Sequence, residues 1–298
     1  MPQMSSSEPR FVATYWTLAG QVVPLGAPDQ EASPHDFAER VEVAAALGYA
    51  GLGLMRSDLG RARERHGYAA MRRLLEAHGL SLELEFLVDW MAEGEALAAA
   101  ELAFEELLQA AQELGARQIK VGPDMQGKAW PLPHMCERFA GLCRRAAIAG
   151  TGIVLEPMPW SNIADLTTAR ALIEGAGERN GGLLLDIWHM ARGGVDYADI
   201  AALPRGIVHH VELDDGAAEV QGSLLEDTLD HRLFCGEGVF DVPAFLAALA
   251  AQGYDGPYGI EIISAAQRRR PFADVARDAI ETARAQFERI TPTRSPAC

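Results

Sequence analysis

Residues 153–186 begin with the apolar run Ile153-Val154-Leu155-Glu156 and end with Leu183-Leu184-Leu185-Asp186. Each run is short and uninterrupted up to a final carboxylate, which is typical of a parallel strand covered on both faces. Between the two runs, Thr167–Glu174 has helical spacing. A strand, a helix and a second strand form one βαβ unit, so this stretch predicts an α/β fold with a parallel sheet.

The same alternation continues in both directions along the chain. Strands are expected at Phe11–Thr17, Gly51–Met55, Leu80–Leu87, Arg117–Val121, Ile153–Glu156, Leu183–Asp186, Ile207–Leu213 and Tyr258–Ile262. Helices are expected at His35–Leu47 (with Ser33 as N-cap), Gly67–Ala77, Glu95–Leu114, Pro133–Ala149, Thr167–Glu174, Tyr197–Ala201, Val242–Gln252 and Phe272–Arg289. Eight such units without a central linker predict one (β/α)₈ TIM barrel domain over residues 1–298, with flexible tails at 1–9 and 291–298.

Composition narrows the class of protein. The chain has 298 residues, 49% of them hydrophobic, and a formal net charge of −16. This charge disfavours nucleic acid and anionic membranes as partners, because both attract positive surfaces. The four cysteines show no CxxC spacing, and no apolar run is long enough for a signal core or a membrane span. We therefore expect a cytoplasmic protein with reduced thiols.

The predicted strands five to eight share one further feature, a carboxylate at or near the strand end. The four residues are Glu156, Asp186, Glu212 and Glu261. In a TIM barrel the carboxyl ends of the strands meet at the face that carries the active site. Four carboxylates gathered there would repel one another unless a cation lay between them. The sequence therefore predicts a metal site.

Five segments of the second half resemble the xylose isomerase-like TIM barrel superfamily, which includes the sugar phosphate isomerases/epimerases and AP endonuclease family 2. The segments are Leu155–Pro157, Asp186–His189, Glu212–Asp215, Gly236–Asp241 (Gly-Glu-Gly-Val-Phe-Asp) and Gly253–Glu261. The superfamily contains ketose 3-epimerases, hydroxypyruvate isomerases, and inosose and dehydroshikimate dehydratases. The resemblance spans nearly the whole chain but is specific in these segments.

The resemblance implies one divalent metal ion held by Glu156, Asp186, the seventh-strand residue and Glu261. Many members have His at the seventh-strand position and some have Gln, whereas this chain has Glu212. His210 points to the same face of that strand, one layer deeper, and remains open as the ligand in place of Glu212. An all-oxygen site favours Mg²⁺ or Mn²⁺, and Co²⁺ or Zn²⁺ also fit the family, above all if His210 is a ligand.

The resemblance also implies a chemistry. We expect a metal-dependent isomerase or epimerase of a small sugar or polyol-derived ketone, which moves a proton through a metal-stabilised ene-diolate. Glu156 and Glu261 are the expected acid–base residues. The substrate-binding candidates are His189, Arg232, the tryptophans Trp16, Trp160 and Trp188, Lys120 and Glu85, and Glu237 is expected to hold its own loop.

Three other functions stay open at this point. A dehydratase of the inosose or 3-dehydroshikimate type would use the same metal, and Asp230–Gly238 resembles the dehydroshikimate dehydratase version, with Cys235 where a proline is common. A non-catalytic sugar-binding barrel is a second alternative. The related AP endonuclease IV uses a His-rich zinc cluster, which the few strand-end histidines and the acidic charge disfavour. A small sugar or cyclic polyol ketone is the expected partner, and a homo-oligomer is compatible with the family.

Overall fold

The computed structural model describes residues 8–290, so all but residues 8 and 9 of the expected tails lie outside the described range. Within that range eight parallel strands close into a barrel, because each strand pairs with its neighbour along the chain and the last pairs with the first. The predicted TIM barrel is confirmed. The strands are β1 (Phe11–Ala13), β2 (Gly51–Met55), β3 (Ser81–Leu87), β4 (Gln118–Val121), β5 (Gly152–Leu155), β6 (Gly181–Asp186), β7 (Val208–Leu213) and β8 (Tyr258–Ile260).

Helices surround the barrel, and most of them bury apolar side chains against it. They are α1 (Tyr15–Ala19), α2 (Pro28–Glu31), α3 (Phe37–Leu47), α4 (Arg56–His66), α5 (Tyr68–His78), α6 (Gly94–Leu114), α7 (Leu132–Ile148), α8 (Leu166–Ala176), α9 (Ile187–Arg192), α10 (Tyr197–Ala201), α11 (Leu224–Asp230), α12 (Val242–Gln252) and α13 (Phe272–Glu288). A short 3₁₀ helix follows β8 at Gln267–Arg269. None of the helices between residues 8 and 290 combines the length and apolarity that crossing a bilayer requires.

The start of the barrel differs from the expectation. The first strand ends at Ala13, and the chain turns into α1. The Thr17 hydroxyl donates to the Ile260 carbonyl (2.7 Å) and accepts from the Ile262 amide (3.0 Å), which ties this helix to the end of β8. Ser33 is not the cap of the next helix, because its hydroxyl donates to the Ala19 carbonyl. Asp36 caps α3 instead and accepts from the Ala38 amide.

The interior of the barrel is charged at the end that carries the carboxylates. Lys120 on β4 contacts Glu85 on the adjacent strand and Glu212 on β7, which lies across the barrel. All three side chains are at most 2% exposed. Barrels of this type are usually filled by branched apolar side chains. Charged groups in that place indicate that this end of the barrel serves binding or chemistry.

Candidate metal and active site

The four strand-end carboxylates lie together at one point. The sheet register pairs Asp186 with Glu212 and Glu212 with Gly259, two residues before Glu261. Glu156 follows β5 directly. Each residue offers one carboxylate oxygen, and these four oxygens all lie within 4.8 Å of one another. All four residues are buried.

Two of these carboxylates have an oxygen that no donor satisfies. Among the described residues, Glu156 Oε1 and Glu212 Oε2 are buried and accept no well-aligned hydrogen bond, although His189 Nε2 lies 3.1 Å from Glu156 Oε1. An unsatisfied buried carboxylate oxygen is costly, and a bound cation would remove that cost. Oxygen ligands with formal negative charge are those preferred by hard divalent ions. The residues therefore fit a divalent metal ion.

The second possible seventh-strand ligand, His210, lies below this group. Its Nε2 is 3.1 Å from Glu83 Oε2 and 3.7 Å from Glu212 Oε1. A Cβ at Gly259 would lie 2.8 Å from Glu212 Cγ and 3.0 Å from His210 Nε2, so only glycine leaves room for both side chains. The geometry thus groups Glu212, rather than His210, with the other three carboxylates.

Lys120 is the counter-ion of the deeper half of the site. Its Nζ forms an ion pair with Glu212 Oε1 and lies 2.9 Å from Glu85 Oε1. Burial lowers the pKa of Lys120, but the carboxylates of Glu212 and Glu85 outweigh it and raise that pKa well above its usual value. Burial also disfavours the ionised form of Glu212, yet Lys120 and His210 lower its pKa to about 2. Both partners are therefore charged.

Arg232 is the counter-ion of the other half. Its Nη1 lies 2.7 Å from Asp186 Oδ2 and 3.0 Å from Glu261 Oε2, and it also pairs with Asp214. Thr228 fixes the guanidinium from behind, since its hydroxyl accepts from Arg232 Nη2 at 2.9 Å. The sequence predicts that Arg232 binds substrate, and its guanidinium does line the cavity described below.

The loop that carries Arg232 is held by Asp215. One carboxylate oxygen accepts from the amides of Gly216 (2.8 Å) and Phe240 (2.9 Å), and the other accepts from the Gly236 amide (2.8 Å). A Cβ at Gly238 would lie 2.4 Å from Asp215 Oδ1, which explains the second glycine of the Gly-Glu-Gly segment. Glu237, also expected to hold this loop, is exposed, and the hydrogen bonds described here come from Asp215.

A cavity of about 480 Å³ opens above the carboxylates. Most of the predicted site residues line it: Glu85, Lys120, Glu156, His189, Arg232, Glu261, Trp16 and Trp160. Trp188 is absent from the lining, because it is fully buried behind the wall, with its ring edge-on to Trp160 and His189. Its side chain supports the cavity wall instead of forming it.

His189 connects two of the carboxylates at the bottom of this cavity. Its Nε2 lies 3.1 Å from Glu156 Oε1 and 3.7 Å from Asp186 Oδ2. Burial lowers the pKa of His189 to about 4, so the imidazole is neutral at pH 7. Burial, together with the neighbouring carboxylates, raises the pKa values of Glu156 and Glu261 well above their usual range. Such shifts are typical of acid–base sites.

Sequence reasoning missed two buried acids. Asp214 contacts Arg232, and Glu83 contacts His210. Each lies two residues from a residue that was singled out, Asp214 from Glu212 and Glu83 from Glu85. Alternate residues of a strand face the same side, so this spacing was the signal that could have found them.

Comparison with known protein families identifies the family of this barrel. The family model described as xylose isomerase-like TIM barrel matches residues 41–286. The chain belongs to this family. Proteins that share this fold include dehydratases and epimerases, and the family is one of enzymes.

Two curated relatives of this chain are both named 3-dehydroshikimate dehydratase. A 3-dehydroshikimate dehydratase of Pseudomonas aeruginosa is 29% identical over 273 residues, which cover 85% of this chain and 41% of the relative. A 3-dehydroshikimate dehydratase of Pseudomonas putida is 27% identical over 173 residues, which cover 57% of this chain and 27% of the relative. The chain thus spans less than half the length of the curated relatives it matches.

Solved structures share the fold at lower identity. A xylose isomerase-like TIM barrel/4-hydroxyphenylpyruvate dioxygenase fusion protein has a TM-score of 0.82 and 22% identity, over 95% of this chain and 44% of that chain. The IOLI protein with a bound zinc atom has a TM-score of 0.80 and 16% identity, over 95% and 99%. A D-allulose 3-epimerase from Methylomonas sp. has a TM-score of 0.68 and 16% identity, over 95% and 100%. At these identities the likeness concerns the barrel itself.

Proposed function

We propose that this chain is a metal-dependent dehydratase of a small cyclic β-hydroxyketone of the 3-dehydroshikimate type. The observation that carries the proposal is the 29% identity with a 3-dehydroshikimate dehydratase over 85% of this chain. The site supports it, because a neutral imidazole and buried carboxylates meet below one cavity. This is the alternative that Asp230–Gly238 suggested in the sequence.

Glu156, Asp186, Glu212 and Glu261 would hold the metal ion, and their oxygen-only ligand set favours Mg²⁺ or Mn²⁺. When bound, such an ion polarises the ketone of the substrate and makes the neighbouring C–H bond more acidic. We propose Mg²⁺ or Mn²⁺ as the ion and a cyclic ketone as the small-molecule partner. A homo-oligomer stays a prediction.

The side chains of the site then accept and donate one proton. In the dehydration a C–H bond next to the ketone breaks, a C=C bond forms, and the C–O bond of the β-hydroxyl breaks. Glu156 takes up the proton, and His189 Nε2 lies 3.1 Å from Glu156 Oε1 and can share it. This pair returns the proton to the departing hydroxyl, which leaves as water, so that atoms and charge balance. Glu261, on the other side of the carboxylate group, is the second acid–base candidate.

The aromatic and cationic walls would orient the substrate. Trp16 and Trp160 offer flat apolar surfaces to a ring, and Arg232 offers N–H donors. Arg232 contacts three carboxylates, so it stays in place while the substrate enters. Positioning of this kind supplies much of the rate enhancement of enzymes.

The isomerase or epimerase expected from the superfamily stays a prediction. The D-allulose 3-epimerase resembles this chain in fold, and no contact of the site favours a linear ketose over a ring. The same metal ligands and the same proton transfer would serve either reaction. The two differ in whether a hydroxyl leaves, which an experiment can decide.

The test is to incubate the Mn²⁺-loaded protein with 3-dehydroshikimate and to follow the ultraviolet absorbance of the conjugated product. We expect absorbance to rise with the wild type and to stay flat with Glu261→Gln, which keeps the size of the side chain. New ketose isomers by chromatography from a panel of sugars, with no absorbance change, would contradict the dehydratase and favour the isomerase. Binding of the ketone without turnover by any metal-loaded protein would favour a non-catalytic barrel.

A further inference from the structure

We propose that Lys120 is a built-in counter-ion that lets the seventh-strand metal ligand be a glutamate, by neutralising Glu212 and fixing which of its oxygens faces the metal. The inference rests on the metal site of the proposed function. It assigns Lys120 a positioning role toward the metal, in place of the substrate contact expected from the sequence.

The contacts of Glu212 are divided between its two oxygens. Oε1 is occupied by the Lys120 ammonium, with His210 Nε2 at 3.7 Å on the same side. Oε2 is buried and has no hydrogen-bond partner among the described residues. An ion pair on one oxygen prevents the carboxylate from rotating freely, so Oε2 remains the oxygen that is available to a cation.

The surroundings leave Glu212 no other arrangement at low cost. A Cβ at Gly259 would already lie 2.8 Å from Glu212 Cγ, so the side chain fills the space beside β8. On the opposite side of the barrel, a Cβ at Gly53 would lie 2.1 Å from Glu85 Oε1, so Glu85 is equally confined. Lys120 lies between these two packed carboxylates, with its Nζ 2.9 Å from Glu85 Oε1.

Charge explains why a lysine is required. Glu83, Glu85 and Glu212 are all buried within 4 Å of Lys120 Nζ. A neutral ligand such as His or Gln at position 212 would bring no charge of its own, whereas Glu adds one negative charge to a group that already repels itself. Lys120 cancels that charge, so the Glu212–Lys120 pair acts as one formally neutral ligand.

The sequence contains two lysines, which provides a matched control. Lys128 is exposed and lies over the ring of Trp130, 3.7 Å from its centroid, outside the cavity lining. Lys128→Met removes the same charge and keeps a similar side-chain length. A general effect of losing one positive charge would therefore appear in both lysine variants.

The experiment is a double-mutant cycle on the metal-free protein, with Lys120→Met, Glu212→Gln and the two combined, read by denaturant unfolding. We expect the double variant to be more stable than the sum of the single effects predicts, by at least about tenfold in the unfolding equilibrium constant, because Lys120→Met alone leaves Glu212 uncompensated. Lys128→Met should not couple to Glu212→Gln. Additive effects for Lys120→Met and Glu212→Gln would overturn the inference.

Saturating Mn²⁺ supplies a second readout. We expect it to raise the unfolding midpoint of Lys120→Met by less than that of the wild type, since Glu212 Oε2 is then no longer held toward the metal. An equal or larger shift would contradict the inference. If Lys120→Met does not fold without metal, the added Glu212→Gln change should restore a cooperative transition, and failure to do so overturns the proposal.

The two proposals can fail separately. The metal-free cycle requires neither metal nor turnover. If no variant binds Mn²⁺ but the coupling is present, the proposed function fails while the ion pair keeps its structural role. If the wild type binds Mn²⁺ and the coupling is absent, the role of Lys120 fails alone.

Discussion

His189 Nε2 lies 3.1 Å from Glu156 Oε1, below the cavity and beside the group of four carboxylates. Glu156 belongs to the four carboxylates that could bind a metal, and His189 could carry a proton, so this contact links the two functions. The imidazole is held by burial and by its edge-on contacts with Trp160 and Trp188. A proton donor or acceptor fixed in this way does not need to reorganise during a reaction.

Replacing His189 by Gln should therefore reduce turnover of 3-dehydroshikimate by about 10²–10⁴-fold, the usual contribution of a general acid or base. Binding of Mn²⁺, measured by calorimetry, should change little, because His189 is not one of the four carboxylates. His134→Gln is the matched control, since His134 stacks on Trp130 outside the cavity lining. Equal turnover of His189→Gln and wild type would contradict the role of this residue.

Gly259→Ala should weaken metal binding without touching a ligand directly. The added Cβ would lie 2.8 Å from Glu212 Cγ, so the carboxylate must shift away from the other three. We expect a loss of Mn²⁺ affinity of about 10–100-fold, as for other changes to the support of a metal ligand.

Gly141→Ala is the control for this change. Gly141 lies within α7, and a Cβ there would contact nothing within 4 Å. Alanine should stabilise that helix by up to about 1 kcal/mol and leave the affinity for Mn²⁺ unchanged. If Gly259→Ala also left the affinity for Mn²⁺ unchanged, the space beside Gly259 would not matter for Glu212 as a metal ligand, and the prediction would be wrong.

A buried ion pair away from the site should govern stability. Arg40 on α3 pairs with Asp58 on α4, and both side chains are at most 2% exposed. Asp58→Asn would leave a buried guanidinium without its counter-charge, which should cost about 3–5 kcal/mol in the free energy of unfolding. Glu76→Gln, which breaks the exposed pair between Arg72 and Glu76, should cost less than about 1 kcal/mol. Similar small effects of both changes in denaturant unfolding would contradict this assignment.

The cap of α3 should make stability depend on pH in the acid range. Partial burial raises the pKa of Asp36, but hydrogen bonds from His66 and the Ala38 amide outweigh it and lower that pKa. A lowered pKa means that ionised Asp36 stabilises the fold above its unfolded value of about 4, and that this contribution is lost as pH falls through the folded value.

Asp36→Asn keeps a capping oxygen and removes the charge. We expect it to be less stable than the wild type at pH 7, by about 1 kcal/mol, and this difference should shrink as the pH is lowered to about 3. Thermal unfolding at several pH values measures it. A difference that is constant or grows toward low pH would have the wrong sign for this mechanism.

The barrel and its carboxylates were predictable because they depend on local patterns. Apolar runs that end in Glu156 or Asp186 have the spacing of buried strands, and parallel strands bring their ends together whatever the rest of the chain does. The extra helix α4 was not predictable in this way. Its residues are largely charged and lack a wide apolar stripe, so its packing depends on buried Asp58 and Leu59 at few positions.

The ion pairs within the site were beyond reach of the sequence for a different reason. Lys120 and Glu212 are 92 residues apart and meet across the barrel, so their contact depends on the closure of the sheet. Strand parity allowed each of the two side chains to face inward, but it did not indicate that they contact each other. The contact of Arg232 with Asp186 likewise requires the loop that Asp215 holds, which no local pattern specifies.

One measurement tests the central claim most directly, namely that the four strand-end carboxylates form a single metal site. Mn²⁺ is titrated into the metal-free wild type and into Asp186→Asn, and the bound ion is counted by electron paramagnetic resonance. Asparagine keeps the oxygen that accepts from the Trp188 amide at the start of α9, so the helix is preserved. We predict one tightly bound Mn²⁺ per wild-type chain and a large loss of affinity in Asp186→Asn, whereas equal binding by both proteins, or none by the wild type, would contradict the account.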